Sequence, residues 1–400
     1  MKYFKNTELA KLYHVSEKSV RNWIDAAQNG KVDLQLFEHK GKYFVANTSK
    51  NTAIIEKLVE RGKKYKNTRG HKNVEPREEF YKIFSPKQIL DIISNLTIHH
   101  ETPLQYTYVN GGAEDWNEYA SKLYAEGSPN LLNQTIELLD VTAGKIDQLL
   151  QGYKKVNVVD LGSGNGLPVR STLQRLLDEG RLGRYIPVDI SQDMLKILGE
   201  NIKEWFGDSV QFEPHIRDVS YERFNDILAL EDNETVNLVF FLGGTLANFR
   251  SPEQVLLAIN NSLGLNDILV HNSYLDTPKT RLYFDNRSDR KTQIQDGLIL
   301  DFLNIDESYY DVEQIFDEWK RARSISIRPK VDLTIRFTLP HGERIVELHK
   351  NEPILIWRHW HKTAIELMQQ FDQAGFDIIQ STKSPDGQYI LLTCKIKTDS

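Results

Sequence analysis

Short apolar runs alternate with segments of helical period through the middle of this chain. Val156–Leu161, Tyr185–Ile190, Val236–Leu242 and Asp267–Asn272 are too short for buried helices and rich in β-branched or aromatic residues. Such runs predict strands buried on both faces. A further strand-like run, Val210–Ile216, precedes Arg217-Asp218-Val219, and Pro252–Leu263 has a helical spacing. Strands alternating with helices predict an α/β fold with a largely parallel sheet. Upstream, helical patterns cover residues from Pro86 to Ile93, Trp116–Tyr124 and Leu131–Leu150. Downstream, His361–Ala374 predicts an amphipathic helix. Phe376–Gln380 and Tyr389–Ile396, around the turn Pro385-Asp-Gly387, predict a closing hairpin with one antiparallel strand. Residues 276–340 exceed a normal crossover. Helical pieces are expected at Lys279–Arg287, Gln295–Leu303 and Val312–Glu318, and alternating runs at Ser324–Arg328 and Val331–Thr338. Alternation predicts an antiparallel flap.

The predicted strand ends carry the candidate chemistry. The first runs into Asp160-Leu-Gly-Ser-Gly-Asn-Gly166. Glycines there let a ligand approach the backbone closely, and a helix start adds free N–H donors. Spacing at Gly162, Gly164 and Gly166 differs from the Gly-x-Gly-x-x-Gly of dinucleotide sites, which tips the reading toward S-adenosylmethionine. Asp189 ends the second run about 25–30 residues on, near the spacing at which a carboxylate accepts from ribose hydroxyls. Asp218 is placed to accept an adenine amino group, with Val219 over the ring. The fourth run ends in Gly243-Gly-Thr-Leu-Ala-Asn248. Expected cofactor contacts are Asp160, Gly162, Ser163, Gly164, Gly166, Asp189, Ile190, Asp218, Val219 and Gly243.

Asp160-Leu-Gly-Ser-Gly164, Pro187-Val-Asp-Ile-Ser191 and Phe241-Leu-Gly-Gly-Thr-Leu-Ala-Asn-Phe249 resemble the histidine-specific, S-adenosylmethionine-dependent methyltransferases of ergothioneine biosynthesis. The likeness covers roughly residues 100 to 398, and the Phe241–Asn248 block is its most specific part. It implies a class I methyltransferase: a Rossmann-like, seven-stranded sheet with a terminal antiparallel hairpin and an α+β substrate insertion. It also implies that Asn248 holds the amino or carboxylate group of an amino-acid substrate. Tyr283, in the insertion, and Tyr108, upstream, stand where the family has substrate tyrosines, and both are expected to act on the amine. Family members carry a lysine after the glycine turn; here only Arg170 is available. They also present a glutamate and a serine to the imidazole, at positions matching Trp357 and His359. An indole cannot accept a hydrogen bond from an imidazole N–H. The resemblance therefore implies N-methylation of an amino acid or related small amine other than histidine.

Charge changes the picture at the amino-terminal end. Residues 1–84 carry 18 Lys and Arg against 10 Asp and Glu, leaving 32 against 46 in the rest of the chain. A basic head on an acidic body signals a partner, or a solvated basic linker. Thr7 and Ser16 read as caps of two short helices, the second with Val20, Trp23 and Ile24 on one face. Val32–Phe37 and Lys42–Val45 read as a two-strand wing. Leu9 to Trp23 resembles the winged helix-turn-helix domains of the excisionase and MerR type. That resemblance implies a DNA or protein partner for residues 1–60. It leaves open a DNA-binding regulator whose methyltransferase-like body senses S-adenosylmethionine or a metabolite.

The expected organisation is a head over 1–60, a basic linker over 61–85, and the methyltransferase core over 86–275. A substrate insertion over 276–345 and the end of the core over 346–400 follow. One cysteine, Cys394, excludes an internal disulfide. The chain has no apolar run of about 20 residues and no signal-peptide core, so a cytoplasmic protein without a membrane partner is expected. His99-His100 and His359-Trp-His361 do not make a four-ligand metal set, and no metal is expected.

Overall fold

The computed structural model describes residues 3–39, 41–67, 70–108, 112–228, 234–285 and 299–398. The amino-terminal elements are β1 (Tyr3–Phe4), α1 (Asn6–Leu12), α2 (Glu17–Gln28), β2 (Leu36–His39), β3 (Lys42–Ala46) and α3 (Ser49–Asn67). Ser16 caps α2, its Oγ accepting from Ser19 N at 3.1 Å. Thr7 lies inside α1, whose N-cap is Lys5. Leu9, Val20, Ile24, Val45 and Ile55 form this unit's own core, and β1, β3 and β2 form one antiparallel sheet. Much of the basic excess falls on residues 61–69, whose side chains lie outside the description.

The expected basic linker is instead largely folded: α3 runs on to Asn67, and further elements begin at residue 72. β4 (Lys72–Val74), α4 (Glu78–Ile83) and α5 (Pro86–Ser94) follow α3. Phe80, Phe84, Ile89 and Ile92 share a core with residues 299–356 of the insertion. Buried apolar positions among the charges hold this stretch against distant chain. Next come α6 (Gly112–Glu126) and α7 (Leu131–Leu149).

The central sheet is built from β5 (Lys155–Leu161), β6 (Leu182–Asp189), the short β7 (Gln211–Phe212) and β8 (His215–Ile216), β9 (Thr235–Phe241) and β10 (Ile268–Tyr274). Helices α8 (Arg170–Asp178), α9 (Gln192–Phe206) and α10 (Pro252–Asn260) connect them. Pro214 divides the third strand run, because proline has no N–H for the ladder. Strands β5, β6, β9 and β10 are parallel. Val156 and Val158 face one core and Val159 and Leu161 the other, so both faces are covered.

After α11 (Pro278–Asp285) come β11 (Tyr310–Asp317), β12 (Ala322–Pro329), β13 (Leu333–Leu339), β14 (Gly342–Leu348) and β15 (Ile354–Trp360). The helix expected at Val312–Glu318 is a strand. Its spacing of Val312, Ile315 and Phe316 suits a helix, but all of Tyr310–Asp317 pairs with Pro329–Ala322. Arg328 to Glu313 and Lys330 to Asp311 reinforce that pairing at 2.5 and 2.8 Å. Non-local pairing outweighs local pattern here. The boundary expected at residue 345 falls within β14, and β15 pairs with β12. The insertion therefore extends to Trp360 and forms two small sheets, β11-β12-β15 and β14-β13-β4. Helix α12 (Ala364–Gln373) leads to β16 (Phe376–Lys383) and β17 (Tyr389–Ile396). Strand β17 enters antiparallel between β10 and β16, giving the order β16-β17-β10-β9-β5-β6-β7. Among the described residues no helix is long and apolar enough to cross a membrane.

Burial in this sheet gives one stability prediction. His271 on β10 is fully buried, and its Nδ1–H donates to Phe241 O at 2.7 Å. Burial pushes its pKa down to about 4. Between the ordinary value near 6.5 and about 4, the unfolded chain takes up a proton that the folded chain refuses. His271 thus contributes stability that is complete above pH 6.5 and lost as pH falls through that window, by about 3 kcal/mol. Denaturant titrations at pH 7 and pH 4.5 should show wild type losing more stability than His271→Asn. Equal losses would contradict this.

Candidate functional site

Each parallel strand of the central sheet delivers its last residues to one rim. A cavity of about 520 Å³ opens there, between the rim and the roof formed by β15, α6 and residues 91–108. That size suits a nucleoside-sized molecule with a small acceptor beside it. Asp160, Gly162, Ser163, Gly164, Asp189, Ile190, Asp218, Val219 and Gly243 all line it, as do Tyr108, Asn248, Trp357 and His359.

One expected cofactor residue is placed otherwise. Gly166 does not line the cavity. It has φ +76°, and a Cβ built on it would stand 2.4 Å from Leu198 Cδ1 and 3.5 Å from Tyr185 Oη. Its lack of a side chain serves packing of the turn against α9. Gly166→Ala is expected to destabilise the fold by about 2–3 kcal/mol, from left-handed strain plus overpacking. Thermal unfolding would check it, and an unchanged midpoint would refute it. Tyr283 lies on α11, but its side chain is outside the described residues. Arg170, the substitute for the family lysine, sits 4.7 Å from the Trp205 ring and away from the cavity.

The glycine turn is held from several sides. Gly162 and Gly164 have φ +66° and +52°, a region open to glycine at little cost. A Cβ on Gly164 would lie 2.7 Å from the Trp116 ring, so the indole rests on the bare backbone. Gly164 N and Ser191 N donate to the Asp189 carboxylate at 3.4 and 3.0 Å. Burial raises the Asp189 pKa to about 6. Asp160 is more enclosed: burial raises it to about 8, partly offset by the Tyr185 hydroxyl, which donates to Oδ2 at 2.9 Å. At the third rim position, Asp218 Oδ1 accepts from Ser220 N at 2.9 Å, and Gln105 Nε2 donates to Oδ2 at 3.4 Å. Burial raises its pKa as well. Asp189 and Asp218, beside Cβ-free backbone, match the hydroxyl and amino donors of an adenosyl group, while Asp160, raised to about 8 and held by Tyr185, lines the same rim. These acceptors fit S-adenosylmethionine.

The acceptor side is built by β9, β10 and β15. Gly243 N donates to Asn272 Oδ1 at 2.9 Å, fixing the loop after β9 to its neighbour strand. Asn248 ends that loop, with Oδ1 3.4 Å from His359 Nδ1. Trp360 Nε1 donates to Phe249 O at 2.8 Å, tying β15 to the same loop. Trp357 and His359 stack with centroids 6.0 Å apart, and Tyr274 meets His359 edge-on at 5.6 Å. Tyr108 is anchored through its carbonyl, which accepts from Ser191 Oγ at 2.7 Å.

Several contributors had no signal in the sequence reading. Trp116, Tyr185 and Asn272 act through contacts with residues far along the chain. Arg250 and Arg358 also line the cavity. They stand beside motif residues, Arg250 two past Asn248 and Arg358 between Trp357 and His359, which is the one cue the sequence offers. Among the described residues no three His, Cys, Asp or Glu side chains gather as a metal site.

The family model described as histidine-specific methyltransferase, SAM-dependent, matches residues 91–396. No curated protein matches the chain. Among solved structures, it is similar to an S-adenosylmethionine-dependent methyltransferase from Clostridium acetobutylicum, at 10% identity over 78% of this chain and 100% of that one, TM-score 0.35. It is also similar to the PH0226 protein from Pyrococcus horikoshii, at 16% identity, 68% and 94% coverage and TM-score 0.40. A third is magnesium protoporphyrin IX methyltransferase from Synechocystis with bound SAH, at 10% identity, 74% and 98% coverage and TM-score 0.41.

Proposed function

The chain belongs to the histidine-specific, S-adenosylmethionine-dependent methyltransferase family, and from that premise we propose that it N-methylates an amino acid or related small amine other than histidine. The observation that carries this reading is the wall beside Asn248. Strand β15 presents stacked Trp357 and His359 there, where the family resemblance implies a glutamate and a serine. An indole gives an imidazole N–H no acceptor. The same rings offer a flat apolar surface and favourable faces to a cation or an aromatic side chain.

Bound S-adenosylmethionine supplies a methyl group on a positively charged sulfur. The chain's own work is placement. We assign the ribose hydroxyls to Asp189, the adenine amino group to Asp218, and the ring faces to Ile190 and Val219. Backbone at Gly162, Ser163, Gly164 and Gly243 takes the remaining length, next to Asp160. Asn248 Oδ1 and the Tyr108 hydroxyl oxygen accept from the acceptor's N–H groups, which turns the nitrogen lone pair toward the sulfur. Aligning that lone pair with the leaving sulfur can supply several kcal/mol of the barrier. A protonated amine first gives up a proton, to a cavity carboxylate or water. Trp116 over the glycine turn and β15 over Asn248 keep bulk water out.

A mass-spectrometric screen with deuterated-methyl cofactor tests the proposal. Amino acids and biogenic amines are offered together, and S-adenosylhomocysteine is followed in parallel. The expected result is label on a nitrogen of a non-histidine amine. Histidine as the preferred acceptor, or label on no amine at all, would overturn it.

A further inference from the structure

Two arginines and one carboxylate meet in the cavity wall, outside the contacts already assigned. Glu101 lies on a short extended piece joined to β15: Thr102 N donates to Leu355 O and Leu355 N to His100 O, both at 2.8 Å. Its side chain is nearly buried and accepts from both guanidinium groups. Arg358 Nη2 donates to Glu101 Oε2. Arg250 Nη1 donates to Glu101 Oε1 at 3.2 Å and to Asn95 Oδ1 at 3.0 Å. Among the described residues these are all the hydrogen bonds the two guanidinium groups make. Each guanidinium carries five N–H donors in a rigid fork. Most of the fork of Arg358 is therefore unspent, although its side chain is only 16% exposed.

Both guanidinium groups rely on this one carboxylate for an ion pair; Arg358 is largely enclosed, whereas the Arg250 side chain is 44% exposed. Asp91, which also lines the cavity, accepts from Tyr106 Oη and Asn95 Nδ2, each at 3.0 Å, and from neither guanidinium. Burial pushes the Arg358 pKa down to about 10, the desolvation cost of enclosing that charge. An anion placed against the free donors would relieve it, and a fork suits the two oxygens of a carboxylate. The wall is also connected to the acceptor side. Arg250 shares its loop with Asn248, and both arginines line the same cavity as Asn248, although Arg358 alternates to the face of β15 opposite the stacked Trp357 and His359.

We propose that Arg358, assisted by Arg250, is the specificity-determining site for a carboxylate carried by the methyl acceptor, with Glu101 holding the two guanidinium groups in place. This rests on the amine-methylation reading and narrows it to acidic acceptors. The proposal separates an amino acid from the amine left by its decarboxylation. The amine retains the nitrogen and the side chain but has nothing to offer Arg358.

The test uses the full chain and matched pairs such as tryptophan with tryptamine and phenylalanine with phenethylamine. For wild type the acid member is expected to have the higher kcat/KM, by about 10- to 100-fold, through KM. Arg358→Met should collapse that ratio toward one, and Arg358→Lys should restore part of it. A calorimetric titration with S-adenosylmethionine on each variant identifies whose carboxylate is held. A loss of cofactor affinity in Arg358→Met would assign these donors to the cofactor's own carboxylate and overturn the proposal. A wild-type ratio near one, or an equal fall for both members in Arg358→Met, would reduce Arg358 to a structural tie and overturn it too. Wild type that binds cofactor yet methylates neither member of any pair would instead overturn the amine reading itself.

Discussion

Asp189→Ala is expected to weaken S-adenosylmethionine binding by about 100- to 1,000-fold, since hydrogen bonds to a charged acceptor are worth roughly 1.5–3 kcal/mol each and a ribose offers two. The carboxylate is already oriented by Gly164 N and Ser191 N, so little is lost to reorganisation on binding. Its removal should therefore cost most of the hydroxyl recognition. The variant should remain folded, because the side chain faces the cavity rather than the core. The same residue predicts a pH dependence. Ionised Asp189 is the form that accepts from both hydroxyls, and burial raises its pKa to about 6. Cofactor affinity should hold above that value and fall as pH drops through it. Calorimetric titrations from pH 8 to pH 5 on wild type and variant would check both statements. A variant that binds as tightly as wild type would refute the assignment.

Asn248→Ala should lower kcat/KM for an accepted amine by about 100-fold while leaving the cofactor affinity in place. Asn248 is held at the end of the β9 loop by its contact with His359 and by the Trp360–Phe249 tie. Its amide is thus a fixed partner beside the place where the methyl group is delivered. Truncation leaves the amine free to rotate away from the in-line direction. Asn248→Asp would add a charge and strengthen the hold on a protonated amine, raising affinity and lowering kcat together. Steady-state kinetics with calorimetric cofactor binding would distinguish these effects. Loss of cofactor binding in Asn248→Ala would place the residue on the wrong partner.

What the chain declares in its sequence is what is local. Val156–Leu161 reads as a buried strand because its neighbours in sequence are its apolar signal. The glycine turn reads as a ligand loop because Gly162 and Gly164 need positive φ. The rim carboxylates follow from strand ends alone, and Asp160, Asp189 and Asp218 come together in one cavity. Tertiary pairing hides the rest. Residues 310–317 have a spacing that a helix would accept, and only β12 makes them a strand. Residues 72–85 look like a charged linker until residues 299–356 supply the other half of their core. Gly166 carries the same letter as its ligand-facing neighbours, yet its Cβ is excluded by Leu198 rather than by a cofactor. The arginine wall is the least legible part: Glu101 is 149 residues from Arg250 and 257 from Arg358.

The most direct measurement is a crystal structure of the protein with S-adenosylhomocysteine and an accepted amine. The account predicts ribose hydroxyls on Asp189, adenine between Ile190 and Val219 with its amino group on Asp218, and the acceptor nitrogen at Asn248, facing the sulfur. A nucleoside seated elsewhere, or an amine nitrogen turned away from Asn248, would contradict it.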